Sequence, residues 1–486
     1  MRSSALLLLV VWLAVPSSGG WASPPELSAD PRMMRFPVAP FDPPKAARMV
    51  LPNGMILYLL EDHELPIVTV SAMIRTGSLY EPADRLGLAG LTGTVMRTGG
   101  VGSRTGDEVD QELEFVGAEL GSGIGLDAGS ASLNVLTKDL PRGLALFADM
   151  LRRPAFEPAR VDLAKKQAIE SIRRRNDQPA SIASREFNKL LYGPDHPYAR
   201  ESTEATIRAI DREDLVAFHR RYYHPNSIMI AATGDFEREA FVAQLLRAFE
   251  GWKPERVTWP AVPPVKERSA APVNYIRREV NQTHVRMGHL SIRQADPDFF
   301  AVSLLDDILG GQPFTSRLFQ DVRTKAGLAY SVGSALAPGR LDRGMFFLYA
   351  QTKAQSTAQA IAAMRVQIDR IRDTPVSRQE LEDAKQAFLN SFVFSFSSPA
   401  QIVGRQLSLE YYGLPPDFLD RFRSNVQRVT IKDLTRVARR HLRPDRMVLL
   451  AVGDDRTFDQ PLSTFGAVHT IKLDPAQGAP LPPTID

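Results

Sequence analysis

Apolar positions along the chain fall into two periods. Met55 to Leu60 and Ile67 to Ile74 (IVTVSAMI) alternate in the manner of strands with one buried face, and Glu61-Asp62-His63-Glu64 between them predicts a hairpin turn. Helical spacing follows at Glu108 to Phe115, Leu140 to Leu151, Pro158 to Arg174 and Arg212 to Tyr223, with Asp139 and Asp211 as expected N-caps. Apolar runs, Ile228 to Ala232 and Met447 to Ala451, predict late strands at Ser227 to Thr233 and Met447 to Val452. Strands at both ends of a block with helices between them predict an α+β layer domain.

The pattern occurs twice. Asp214-Leu215, Pro225 and Gly234-Asp235 in the first half match Asp433-Leu434, Pro444 and Gly453-Asp454 in the second, each at an offset of 219. Three matched intervals predict an internal duplication of a whole domain, since solenoid units are far shorter. Proline clusters mark the expected joints. The resulting plan is a signal peptide at 1–22, a Pro-rich leader at 23–45, a first domain at 46–252, a linker at 253–272, a second domain at 273–470 and a Pro-rich tail at 471–486. Arg2 followed by the eleven apolar residues Ala5 to Val15 is too short for the roughly 20 residues of a membrane span and fits a signal-peptide core. The expectation is export, to the periplasm, without stable membrane insertion.

Composition narrows the chemistry. With 44% hydrophobic and 24% charged residues the chain can bury a large core, and a net charge of +3 over 486 residues gives nucleic-acid binding no support. The absence of Cys excludes disulfides, thiolate metal sites and lipoprotein anchoring. None of the eight histidines forms HExxH or HxxEH, the spacings that place two imidazoles on one helical face. His219 and His224 diverge on a helix, and His284 and His289 fall on opposite faces of a strand. GxSxG and Walker A motifs are absent, and Gly121-Ser122-Gly123-Ile124-Gly125 lacks dinucleotide-loop spacing.

Residues 75–100, RTGSLYEPADRLGLAGLTGTVMRTGG, are similar to the signature of the M16 zinc peptidases (insulinase, pitrilysin and mitochondrial processing peptidase-like), where a GS…E element precedes a helix carrying G-L-A-H-x-x-E-H. Gly77, Ser78, Glu81, Gly87, Leu88, Ala89 and Met96 fit it. In the second half, Ser316-Arg317-Leu318-Phe319 and Arg323 to Tyr330 (RTKAGLAY) continue the resemblance, which covers nearly all the chain after residue 45. It implies two homologous domains, each an antiparallel-rich sheet with helices packed on it, of the LuxS/mitochondrial processing peptidase-like kind.

The departure falls on the catalytic positions. Gly90 and Thr94 stand where the family has its histidine ligands, Gly93 where it has its general-base Glu, and Glu170 matches the third ligand as a remnant. Two glycines within one helix cost about 1 kcal/mol each, which points either to relaxed selection or to close approach of another backbone. Zinc needs three protein ligands and an open position, so no metal is expected in this chain. The resemblance also implies that Arg323 and Tyr330 bind substrate across the chamber. The expected role is therefore an M16B-type non-catalytic subunit, inactive alone. Zinc would sit in an HxxEH-containing M16 partner, and an unfolded peptide would add to the sheet near Ala128 to Leu136. The alternative is a peptide-binding or scaffold protein with no part in proteolysis.

Overall fold

The computed structural model describes residues 44–267 and 273–473; the expected signal peptide, the leader up to residue 43 and the tail from 474 lie outside the described residues. The strands are β1 (Ala47–Val50), β2 (Ile56–Glu61), β3 (Ile67–Ile74), β4 (Glu119–Ile124), β5 (Gly129–Leu136), β6 (Ile228–Gly234), β7 (Val273–Arg277), β8 (Gln282–Leu290), β9 (Ala329–Ala337), β10 (Met345–Lys353), β11 (Val448–Gly453) and β12 (Val468–Thr470). Helices α1 (Leu88–Thr98), α2 (Gly106–Val116), α3 (Leu140–Arg152), α4 (Pro158–Arg174), α5 (Pro179–Tyr192), α6 (Glu204–Ala209), α7 (Arg212–Tyr222) and α8 (Arg238–Ala248) belong to the first half. The second half carries α9 (Phe299–Asp306), α10 (Thr357–Asp373), α11 (Arg378–Phe394), α12 (Pro399–Tyr411), α13 (Phe418–Arg428) and α14 (Ile431–His441). The fold is mixed α+β, as the alternating blocks predict.

Two six-stranded sheets have the orders β1-β2-β6-β3-β5-β4 and β12-β7-β11-β8-β10-β9. From β2 and β7 outward they are the same path: β6 and β11 run parallel to β2 and β7, and the remaining pairs are antiparallel. Helices α7 and α14 also start and end 219 residues apart, so the repeat in the sequence is a repeat of topology. Asp211 and Thr430 cap them, each within a capping box. Asp139 makes no such bond; α3 begins instead with Leu140-Pro141, where proline's missing N–H costs nothing.

The expected hairpin of β2 and β3 does not form. Strand β6 lies between them, parallel to β2 and antiparallel to β3. Its run IMIAAT is buried throughout, and only a central position covers both faces of such a strand. One face, Ile228, Ile230 and Ala232, joins the main first-half core. The other, Met229 and Ala231, packs with Tyr58 against Val403 and Leu407 of α12, a helix of the second half. The exchange is reciprocal: Ile182, Ala183, Phe187 and Leu191 of α5 cover Ile276, Val448, Leu450 and Val452 of the second sheet.

Polar contacts fasten α12. Glu410 accepts from both Arg48 Nε and Nη2 at 2.7 Å and from the Tyr58 hydroxyl, whose pKa burial pushes up to about 12. The Tyr411 hydroxyl lies within reach of the Ile74 and Asp127 carbonyls, at 3.1 and 2.9 Å. Exchange of the covering helices predicts one cooperative unfolding transition for the two halves. Phe187→Ala, at a fully buried ring, is expected to cost about 3–5 kcal/mol. Calorimetry should show that single transition moving down as a whole; two separable transitions would contradict the reading.

Candidate functional site

The site implied by the signature begins at the N-terminus of α1. Gly87 enters the helix with φ +101°, and the buried Glu81 carboxylate accepts from the N–H groups of Gly87 (3.1 Å) and Ala89 (2.6 Å). A carboxylate here satisfies orphan donors and complements the helix dipole. Burial raises the Glu81 pKa, while the two N–H bonds and nearby Arg200 oppose the rise. Arg200 Nη2 in turn gathers the carbonyls of Ser78 (3.0 Å), Leu79 (3.3 Å) and Glu81 (2.8 Å). The matching residues before the helix are thus its scaffold.

Along α1 the two glycines have different causes. Gly93 is buried, and a Cβ built on it would lie 2.5 Å from the Ile124 nitrogen and 2.9 Å from the Gly123 Cα, well inside contact distance. Ser122 Oγ donates to the Gly93 carbonyl at 2.6 Å, and Arg97 Nε donates to the Leu120 carbonyl at 3.0 Å. Helix α1 therefore rests directly on the backbone of β4, and Gly93 is the residue that lets it. Gly90 has nothing within 4 Å of a Cβ position and faces a crevice of about 380 Å³ that Glu81, Ile124, Arg175, Arg200 and Glu201 also line. Thr94 is exposed. Glu170, exposed on α4, lines an adjoining groove of about 810 Å³ that shares Ser171, Arg175 and Glu201 with the first. Gly90 and Glu170 thus sit in neighbouring recesses, both lined by first-half residues.

The edge strand is not where it was expected. Strand β5, which spans most of Ala128 to Leu136, is paired on both sides, by β3 and β4; the open edge belongs to β4. In its Gly-Ser-Gly centre, the segment with faint dinucleotide-loop character, Ser122 is the residue that faces α1, while a Cβ on Gly121 or Gly123 would point toward Ser132 and Ser130 of β5.

In the second half, Arg323 lies in a π-helical turn (Phe319–Lys325), Gly327 follows at φ +64°, and Tyr330 stands near the start of β9, an edge strand of its sheet. The two residues come together. The Arg323 guanidinium lies 4.5 Å from the Phe319 ring centroid and 6.0 Å from that of Tyr330, which is 71% exposed. Phe314 extends the row with an edge-on contact to Phe319 at 4.9 Å and holds φ +67°, a left-handed conformation that is strained for an aromatic residue. Phe319 was visible in the SRLF motif; Phe314 has no sequence signal, because its backbone conformation comes from the loop around it.

Other ligand-like clusters are structural. His63 Nδ1 pairs with Asp235 at 2.8 Å in the β2–β3 connection, and Asp235 raises its pKa. His219 is buried against the Leu151 carbonyl and its pKa falls to about 4. Among the described residues, Asp296, Asp298 and His441 are close enough to share a cation. Asp298, however, already accepts from Arg436 (2.7 and 3.0 Å), Arg440 (3.4 Å) and His441 (2.7 Å), and this company holds its pKa at about 2. Two guanidiniums in that shell oppose a metal ion.

Comparisons with known proteins agree with this geometry. The family model for Insulinase (Peptidase family M16) matches residues 57–194, and that for the Peptidase M16 inactive domain matches residues 209–388. A Streptomyces coelicolor protein described as an uncharacterized zinc protease is 27% identical over 349 residues, 70% of this chain and 75% of the relative. A Mycobacterium tuberculosis protein of the same description is 26% identical over 435 residues, 87% of this chain and 98% of the relative. The crystal structure of a peptidase M16 inactive domain from Pseudomonas fluorescens is similar at a TM-score of 0.77 and 28% identity, covering 86% of this chain and 99% of that one. A Helicobacter pylori protease, at a TM-score of 0.75 and 17% identity over 84% of this chain and 99% of its own, shares the fold. The chain belongs to the M16 peptidase family.

Proposed function

We propose that this chain is the non-catalytic subunit of a heteromeric M16 zinc endopeptidase, exported to the periplasm, which binds and orients unfolded peptide for a partner that carries HxxEH. The observation that carries the reading is the seat of Gly93 on β4. The zinc of this family does not fit the residues present: Gly90 and Gly93 offer no side-chain donor, Thr94 offers a neutral hydroxyl, and Glu170 is a single carboxylate. The general-base position is closed as well, because any side chain at 93 would enter the β4 backbone.

Binding features remain where catalytic ones are lost. The open edge of β4 supports addition of an extended peptide as a further strand. Tyr330, exposed and stacked beside Arg323, is suited to donate its hydroxyl toward a developing oxyanion in the partner's active site, with Arg323 fixing the peptide. These residues supply hydrogen bonds and charge, and the partner supplies the metal chemistry.

Three outcomes are expected. Elemental analysis of the purified chain should find no stoichiometric tightly held zinc, and one zinc per chain would overturn the reading. Gly93→Ala should destabilise the fold by about 1–3 kcal/mol through overpacking, whereas Gly90→Ala should stabilise it by up to about 1 kcal/mol. Thermal melts that rank the two variants the other way would contradict the packing account. In the complex with an HxxEH subunit, Tyr330→Phe should lower kcat by about 10²–10³ with little change in assembly. Full activity of that complex would instead favour a scaffold or peptide-binding role.

A further inference from the structure

Along the exposed face of α14 runs a groove of about 710 Å³, with Pro375 and Ile431 as apolar lining and Lys432, Arg436, Arg439 and Arg440 as charged lining; no carboxylate lines it. Arg436 and Arg440 are engaged with Asp298, but neither Lys432 nor Arg439 pairs with a carboxylate among the described residues, and Arg439 Nε donates only to the Arg372 carbonyl at 3.3 Å. The internal duplication supplies a control. Helix α7 is the counterpart of α14 at an offset of 219, and both bury the same inner positions, Leu215 with Phe218 and Leu434 with Val437. On the outer face Glu213 corresponds to Lys432 and Ala217 to Arg436, while Arg220 and Arg221 correspond to Arg439 and Arg440. The fold therefore tolerates an acid at the Lys432 position, and the uniformly basic face belongs to the second copy alone.

Lys432 and Arg439, which have no carboxylate partner among the described residues, add their charge to that of Arg436 and Arg440, so a face of this kind is complementary to a negatively charged occupant. The groove is shallow, with Pro375 and Ile431 as its apolar lining, and the apolar face of α14 is spent inside the core, leaving nothing to insert into lipid, so an extended polar segment suits it better than a bilayer. We propose that this groove docks an acidic, extended segment of a partner protein, a function separate from the peptide-orienting role of Arg323 and Tyr330.

The test is fluorescence anisotropy of the purified full-length chain with a labelled synthetic peptide of Asp, Glu and Leu. Binding should weaken steeply as ionic strength rises past about 0.1 M, where the screening length is about 10 Å. Lys432→Glu combined with Arg439→Glu should weaken it about tenfold or more without changing the melting temperature, and Arg220→Glu on α7 should leave it unchanged. If the double reversal disturbs folding, Lys432→Gln with Arg439→Gln gives the same comparison with a smaller loss. Wild-type affinity in the folded double variant would overturn the proposal. So would binding to phosphatidylglycerol vesicles with no binding to the peptide.

Discussion

Strands β6 and β11 are apolar on both faces, and each half has helices enough on one face only. The second cover comes from the other half: α12 lies on β2 and β6, and α5 lies on β8 and β11. Buried apolar area is the dominant stabilising quantity in such a fold, and here a portion of it exists only when both halves are present. The Arg48–Glu410–Tyr58 contact sits at the same junction. A bidentate, partly buried ion pair of this kind sets register more than it adds stability, since most exposed pairs contribute about 0–1 kcal/mol.

With their inner strands committed to this shared core, the sheets keep open edges at β4 and β9, and those are where the candidate binding features lie. At β4 the contact of Gly93 with the Gly123–Ile124 backbone does two things. It brings α1 against the edge strand, and it removes the volume that a catalytic side chain would occupy. At β9 the row Phe314–Phe319–Arg323–Tyr330 has its two ends, Phe314 and Tyr330, exposed and its middle half-buried. Metal coordination needs several donors at once and fails when one or two are replaced. Edge pairing and a guanidinium–phenol pair do not depend on it, so binding can outlast catalysis on one scaffold.

The duplication separates what packing requires from what surface chemistry adds. Inner positions of α7 and α14 stay apolar, their caps are kept, and the outer faces diverge in charge. On α14 part of that charge is tied down by Asp298, whose low pKa keeps it ionised across the neutral range, and part faces outward along the groove.

Much of this was legible in the order of residues. Apolar period gave the helices from Leu140 and Pro158 nearly to the residue, the 219-residue offset implied two copies of one topology, and the absence of an HxxEH sequence from Gly90 to Thr94 could be read directly. Those features are local, or are repeats of local ones, and local burial pattern is written in sequence. Strand pairing is not: β3 alternates correctly for one buried face, yet nothing in it names β6 as the neighbour that displaces β2. Nothing in the Gly-Ser-Gly of β4 names the helix whose Gly93 carbonyl Ser122 bonds. Whether Gly93 was dispensable or required, which strand forms the open edge, and which half covers which sheet are all decided by backbone segments far apart in sequence. Only the folded chain brings their atoms within van der Waals distance, and only there does the steric constraint exist.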